Sequence, residues 1–189
     1  MALICSVSDC DSPVRSRGVC VTHYWGALSE KEQIAATERA KSRFWAKVDK
    51  SGECWNWTAS TYSNGYGAFR GADGRVNVAH RYACKISGRE VPDELDVDHL
   101  CFNRACVNPD HVRLVTNKQN MENRAGPNSN CESGFRGVYY SAGAWRVKVR
   151  HNGKAHYAGG FSTAEEANDA AIELRTELFT HNAVDRAGV

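Results

Sequence analysis

No apolar run in this 189-residue chain exceeds a few positions, which excludes a membrane-spanning helix. The opening stretch, MALICSVSDCDS, lacks both the basic n-region and the apolar core of a secretory signal, so no export is expected. Acidic residues are missing altogether from 134–161, a stretch holding Arg136, Arg146, Lys148, Arg150 and Lys154. The next segment, 162–178, reverses the balance with five acids and one arginine. The net charge of +2 hides this segregation, and a basic face suits a polyanion. With 42% hydrophobic and 24% charged residues, the composition is globular rather than disordered. Eight cysteines without an export signal argue against a disulfide framework. In a reducing cytoplasm, clustered Cys and His are read as metal ligands.

Three blocks follow along the chain. Cys5–His23 is turn-rich, with Asp, Ser, Pro13 and Gly18. The stretch SEKEQIAATERAKSRFW opens with Ser29 and Glu32, a capping-box pattern, and predicts an amphipathic connecting helix. A second block, 44–124, contains CWNW (54–57), GYGAF (65–69) and VNVAHRYA (76–83), with Gly65, Gly67, Gly71 and Gly74 punctuating short strands. ELDVDHL and RLVT predict two further strands, and NKQNMENR a helix capped by Thr116. AGPNSNCES (125–133) has linker composition. In the third block, FRGVYY, WRVKVRH and KAHYAGGF predict three strands, joined at 142–144 and at the Asn-Gly turn of 152–154. Ser162 or Thr163 caps a closing helix with Ala167, Ala171, Leu174 and Leu178 at helical spacing.

The cysteines group by spacing. Cys5, Cys10, Cys20 and His23 offer four soft or borderline ligands, a set that suits tetrahedral zinc in a block with little core of its own. Cys101, Cys106 and His111 supply three more. Cys54, at the head of CWNW, is the expected fourth, with His80 and Cys84 as alternative donors. About two structural zinc ions per chain are expected. Cys84 and Cys131 are left as small buried or surface residues.

Asp98 and His99 remain, followed on the predicted helix by Asn120. A carboxylate and a carboxamide are hard oxygen donors suited to magnesium or manganese, and a neutral His can take a proton from water near pH 7. VDHLC, NPDHVRLVT and NKQNMENR resemble the ββα-metal motif of the HNH endonucleases, nearest to the H-N-N variant of homing and free-standing phage enzymes. The resemblance reaches back through CWNW, GYGAF and AHR, over about 50–124. It implies that His99 is the general base and that Asp98 and Asn120 bind the catalytic metal. The products it implies carry 5′-phosphate and 3′-hydroxyl ends. The family's central Asn, which orients the base, falls on His111; if His111 holds zinc, Asn108 is the candidate for that task. His80, Arg81 and Arg124 are candidate phosphate contacts, with a structural hydrogen bond the other reading for His80.

On WRVKVR, alternation sends Arg146, Lys148 and Arg150 to one face and Val147 and Val149 to the other. GFRGVYY, GAWRVKVR, YAGGF and TAEEANDAA resemble the Apetala-two/ethylene-response-factor DNA-binding domain over about 134–180. That resemblance implies a sheet docked in the major groove, with contacts at Arg136, Tyr139, Lys148, Arg150 and Tyr157.

The expected fold is α+β and multi-domain: a zinc knuckle (1–28), a helical linker (29–43), an HNH nuclease core with structural zinc (44–124), a linker (125–133) and a three-stranded sheet plus helix (134–189). The expected function is cleavage of double-stranded DNA, one nick per motif, by a monomer or homodimer in the cytoplasm, the host's if the gene is phage-borne. The alternative is a non-catalytic DNA-binding regulator that keeps the HNH fold as a scaffold.

Overall fold

Ser29 and Glu32 exchange hydrogen bonds across the first turn of a helix, α2, that runs Glu30–Trp45. It is the longest element of a computed structural model that describes residues 3–124, 126–128 and 130–186. Ala125 and Ser129 of the expected linker lie outside the described residues. The chain divides into two compact units, Met1–Pro92 with His99–Arg113, and Asp93–Asp98 with Leu114–Val189. No described helix is long and apolar enough to cross a membrane.

The first unit opens with turns tied by short bridges, Ile4 to Pro13 and Ser16 to Val19, and a helix α1 of one turn, Val21–Tyr24. Among the described residues, its buried apolar side chains there are Cys5, Val19 and Cys20, too few to order the segment by packing. Helix α2 does more than connect. Ala40 and Phe44 are buried, and the Phe44 ring meets Trp45, Trp57, Phe69 and Tyr82 at centroid distances of 4.9–5.2 Å. Around this aromatic hub lie two small antiparallel sheets: β1 (Val48–Asp49) with β2 (Asn56–Trp57), and β3 (Ala68–Arg70) with β4 (Val76–Val78). The run after Val78 turns helical as α3 (Ala79–Ile86), because Ala79, Tyr82 and Ala83 then share one face toward the Phe44 cluster. Gly67 is required where it sits: a Cβ there would lie 2.6 Å from the Trp57 ring and 2.8 Å from the Ala79 methyl.

Strands β5 (Asp96–His99) and β6 (Val112–Val115) form a two-stranded sheet, and α4 (Asn117–Glu122) follows, capped by Thr116 with Gln119 reaching back. In the second unit, β7 (Val138–Ser141), β8 (Ala144–His151) and β9 (Lys154–Phe161) make an antiparallel sheet in sequence order. Its two turns are tight, with Ala142–Gly143 and Asn152–Gly153 all at positive φ. Val138, Val147 and Val149 pack with Ala167 and Ala171 of α5 (Ala164–Leu178), whose cap is Thr163. A short helix, α6 (Ala183–Arg186), closes the described chain.

Buried Glu122 is the polar centre of this unit. Its carboxylate accepts from Lys118 Nζ (2.6 Å) and from the Thr180 amide (3.0 Å), and lies 3.5 Å from His151 Nδ1. Burial opposes its charge, but Lys118 and the backbone of Thr180 and His181 outweigh this and lower its pKa. A lowered carboxyl pKa stabilises the fold above the ordinary carboxylate range, and that contribution is lost as pH falls through the folded-state value. Glu122→Gln is therefore expected to cost about 1.5–3 kcal/mol at neutral pH. In thermal melts the gap from wild type should narrow as the solution is acidified.

Candidate functional site

The first unit brings together two ligand sets. Cys5, Cys10, Cys20 and His23 place their sulfur and nitrogen atoms within 4.8 Å of one another, and so do Cys54, Cys101, Cys106 and His111. Tetrahedral zinc with Zn–S bonds of about 2.3 Å separates two sulfurs by about 3.8 Å and a sulfur from an imidazole nitrogen by about 3.5 Å. Cys10 and Cys20 are 3.8 Å apart, and Cys5 lies 3.3 Å from His23 Nδ1. In the second set, His111 Nδ1 is 3.6 Å from Cys54 and 3.7 Å from Cys106. Both sets are consistent with zinc binding.

Backbone pairing explains why Cys54 is the fourth member. The amide of Trp57 donates to the Ala105 carbonyl (2.8 Å) and that of Val107 to Trp55 (2.7 Å), so CWNW and RACV run side by side. His80 and Cys84, the other candidate donors, lie on α3 and outside the cluster.

The two sets differ electrostatically. Burial pushes the Cys5 thiol up, but the backbone of Cys20 and Val7 and the His23 ring outweigh it and hold it at about 6. Burial pushes Cys106 up to about 12, and the nearby Cys101 and Cys54 sulfurs add to this. A dication among the sulfurs reverses that repulsion by stabilising thiolates.

His99 is buried beside the second set. Its Nε2 lies 2.8 Å from the Cys106 carbonyl, and its ring packs 4.5 Å from His80 and 5.9 Å from Tyr66. A carbonyl only accepts, so Nε2 carries the proton and Nδ1 is the basic nitrogen of the neutral ring. The side chain of Asn108, the candidate for orienting His99, instead bonds the Glu53 carbonyl (3.3 Å) and the Asp110 amide (3.1 Å). Arg81 donates to the Pro92 carbonyl (2.5 Å) and thereby pins the loop that follows α3.

In the second unit, Asp96 and Asp98 alternate on β5 and so share a face. Asn120 Nδ2 donates to Asp96 (3.1 Å), and Asn123 Nδ2 donates to Asp98 (2.8 Å). Asn120 is thus on Asp96, two residues along the strand from the carboxylate that the sequence paired with it. Each carboxamide thus turns its nitrogen to a carboxylate, and the Asn123 oxygen accepts from the Ala183 amide at 3.0 Å. Sequence reasoning missed Asp96, Asn123, Tyr66 and the Cys106 carbonyl. The spacing of two from Asp98 and of three from Asn120 was the available signal for the first pair; the others had none.

The outward face of β7–β9 carries Tyr139 opposite Arg146 and Lys148 opposite Tyr157, with Arg150 beyond. The Lys148 ammonium stands 5.6 Å from the Tyr157 ring centre. Arg136 is engaged elsewhere: its guanidinium donates to the carbonyls of Met121 and Glu122, both at 3.0 Å, at the end of α4. Arg124 pairs with the Asn128 side chain.

Metal analysis of the purified chain is expected to find about two zinc ions. Cys54→Ser should lose about one of them, with the N-terminal set still loaded; a full complement in that variant would remove Cys54 from the ligand set.

Among known proteins, residues 77–122 match the HNH endonuclease family. "Protein 7.7" of Escherichia phage T7 is 34% identical over 70 residues, which are 37% of this chain and 53% of that protein. "Protein 2.8" of the same phage is 36% identical over 75 residues, 39% of this chain and 50% of its own length. A third relative, "Uncharacterized gene 5.3 protein" of Enterobacteria phage T3, is 26% identical over 55 residues, covering 29% and 54%. The chain thus spans about half the length of the curated relatives it matches. No solved structure matches it. The segment carrying Asp98, His99, Cys101, Cys106, His111 and Asn120 is therefore the part of this chain similar to the HNH endonucleases, and Cys54 lies outside it.

Proposed function

We propose that this protein is a metal-dependent DNA endonuclease in which His99 is the general base. The observation that carries the reading is the bond from His99 Nε2 to the Cys106 carbonyl, since it leaves Nδ1 as the nitrogen that can take a proton from water. The water's oxygen then attacks the scissile phosphorus, the bond to the 3′-oxygen breaks, and that oxygen takes a proton from solvent, leaving 5′-phosphate and 3′-hydroxyl ends. Asp98 and Asn120 would hold magnesium or manganese, with Asp96 beside them. Such an ion, when bound, neutralises charge on the leaving oxygen. Tyr66 and His80 flank the His99 ring and restrict its rotation.

Double-stranded DNA is the substrate of this reading. The outward face of β7–β9, with Tyr139, Arg146, Lys148, Arg150 and Tyr157, supplies the grip, in the manner of an Apetala-two-type sheet. Arg136, spent on the end of α4, acts by holding that helix in place. One HNH motif makes one cut, so a nick is the product.

The test is relaxation of supercoiled plasmid with and without magnesium. His99→Ala is expected to slow nicking by about 10²–10⁴-fold while DNA affinity stays within twofold or so. Nicking that survives this change would remove His99 as the base. Binding without nicking in the wild-type chain, magnesium present, would instead make the protein a DNA-binding regulator on a nuclease scaffold.

A further inference from the structure

The first unit has a basic cleft that neither cysteine set nor the His99 pocket uses. A cavity of about 660 Å³ lies between the turn bearing Arg15 and Tyr24, one face of α2, and the β3–β4 hairpin. Arg15, Arg39, Arg43, Lys47 and Arg70 line it. All five are exposed, and among the described residues none of them is ion-paired. Asp73 is the one acidic residue among those lining the cavity, and its carboxylate is committed to the Arg75 amide at 3.0 Å. Arg17 differs from the five, because Glu32 pairs with it.

Three of these guanidinium groups are held rather than waving in solvent. Arg43 donates to the Arg70 carbonyl (2.5 Å) and lies over the Phe69 ring at 5.0 Å. Arg70 donates to the Gly74 carbonyl at 2.7 Å, and Arg15 sits 5.7 Å over the Tyr24 ring. Fixed forks of this kind lose little entropy when they take an anion. Arg39 and Arg43 stand one turn apart on α2, and Lys47 lies two residues beyond its last residue. Five cations around one cleft are more than one compact anion needs and suit a chain of phosphates.

We infer that this cleft binds the phosphodiester backbone of DNA, a second grip carried by the first unit and separate from the C-terminal sheet. The inference rests on the nuclease reading above, and it adds a contact which that reading does not need. Its role is positioning: phosphate contacts set register and orientation without reading bases.

The full chain carrying His99→Ala is titrated with a labelled DNA duplex over a series of salt concentrations. The same measurement is made after adding Arg39→Gln with Lys47→Gln, two side chains that among the described residues make no hydrogen bond or ring contact in the cleft. A control adds Lys31→Gln with Lys85→Gln, exposed lysines outside it. Zinc content and melting temperature verify the fold of each. The cleft pair is expected to lower the slope of log affinity against log salt by about 0.9 per contact, nearly two in all, with the control close to the parent. If the cleft pair behaves as the control while the parent binds and wild type nicks, the cleft inference falls and the nuclease reading stands. If the parent does not bind and wild type does not nick, the nuclease reading itself fails and takes this inference with it. Should inorganic pyrophosphate raise the melting temperature of the parent but not of the cleft pair, with DNA binding unchanged, the cleft is a small-anion site and the inference is overturned.

Discussion

A loop of a dozen residues holds its shape because three of its side chains and one from a segment distant in sequence converge on a single point. Cys101, Cys106 and His111 come from the loop and Cys54 from the head of CWNW, with all four ligand atoms within 4.8 Å of one another. The loop has little apolar surface to bury, so packing alone would not order it. Backbone pairing with CWNW orders it instead, and the converging ligand atoms are consistent with a shared zinc ion. The cluster also reaches His99, since the carbonyl that faces its Nε2 belongs to Cys106. A residue whose sulfur faces the ligand cluster thus presents its carbonyl to the His99 ring, and one peptide group couples the two.

The second unit solves a different problem with polar contacts. A three-stranded sheet and one helix bury a small valine and alanine core, which by itself supplies modest stability. Glu122, Arg136 and Arg175 then tie α4 and the chain end to that core. Arg175 bonds Asp185 through two nitrogens at 2.6 and 2.9 Å and reaches the Arg136 carbonyl at 2.5 Å. Arg136 in turn caps α4, the helix that bears Asn120. A side chain that the Apetala-two resemblance would send to DNA is here a structural clamp. The charged face left to the sheet is the row of half-buried Arg146 and Lys148 with exposed Arg150, together with its tyrosines.

Local signals in the sequence were reliable where the physics is local. The Ser29–Glu32 box, the Thr116 and Thr163 caps, the Asn-Gly turn and the alternation of WRVKVR all report hydrogen bonds or side-chain directions within a few residues. The N-terminal cysteine set was legible for the same reason, as its four ligands span nineteen residues of one block. What failed to show was long-range. Helix α2 looks like a connector because its pattern is weakly apolar, yet Phe44 is the centre of an aromatic hub gathered from four elements. The helical turn of 79–86 was hidden in an aliphatic run that reads equally as strand, until packing against Phe44 decided it.

By itself, then, the sequence determined which residues offer metal-ligating atoms, where α2, α4 and α5 begin, and that one strand of the C-terminal sheet is basic on one side. Those are properties of side-chain type and short spacing. Only the tertiary structure decided the pairings: Cys54 rather than His80 or Cys84 in the second cluster, Asn120 on Asp96 and Asn123 on Asp98, the Cys106 carbonyl rather than Asn108 behind His99, and five scattered basic residues around one cleft. Each of these joins positions that no periodicity links, because the contact is set by how strands and helices pack rather than by the order of residues along the chain.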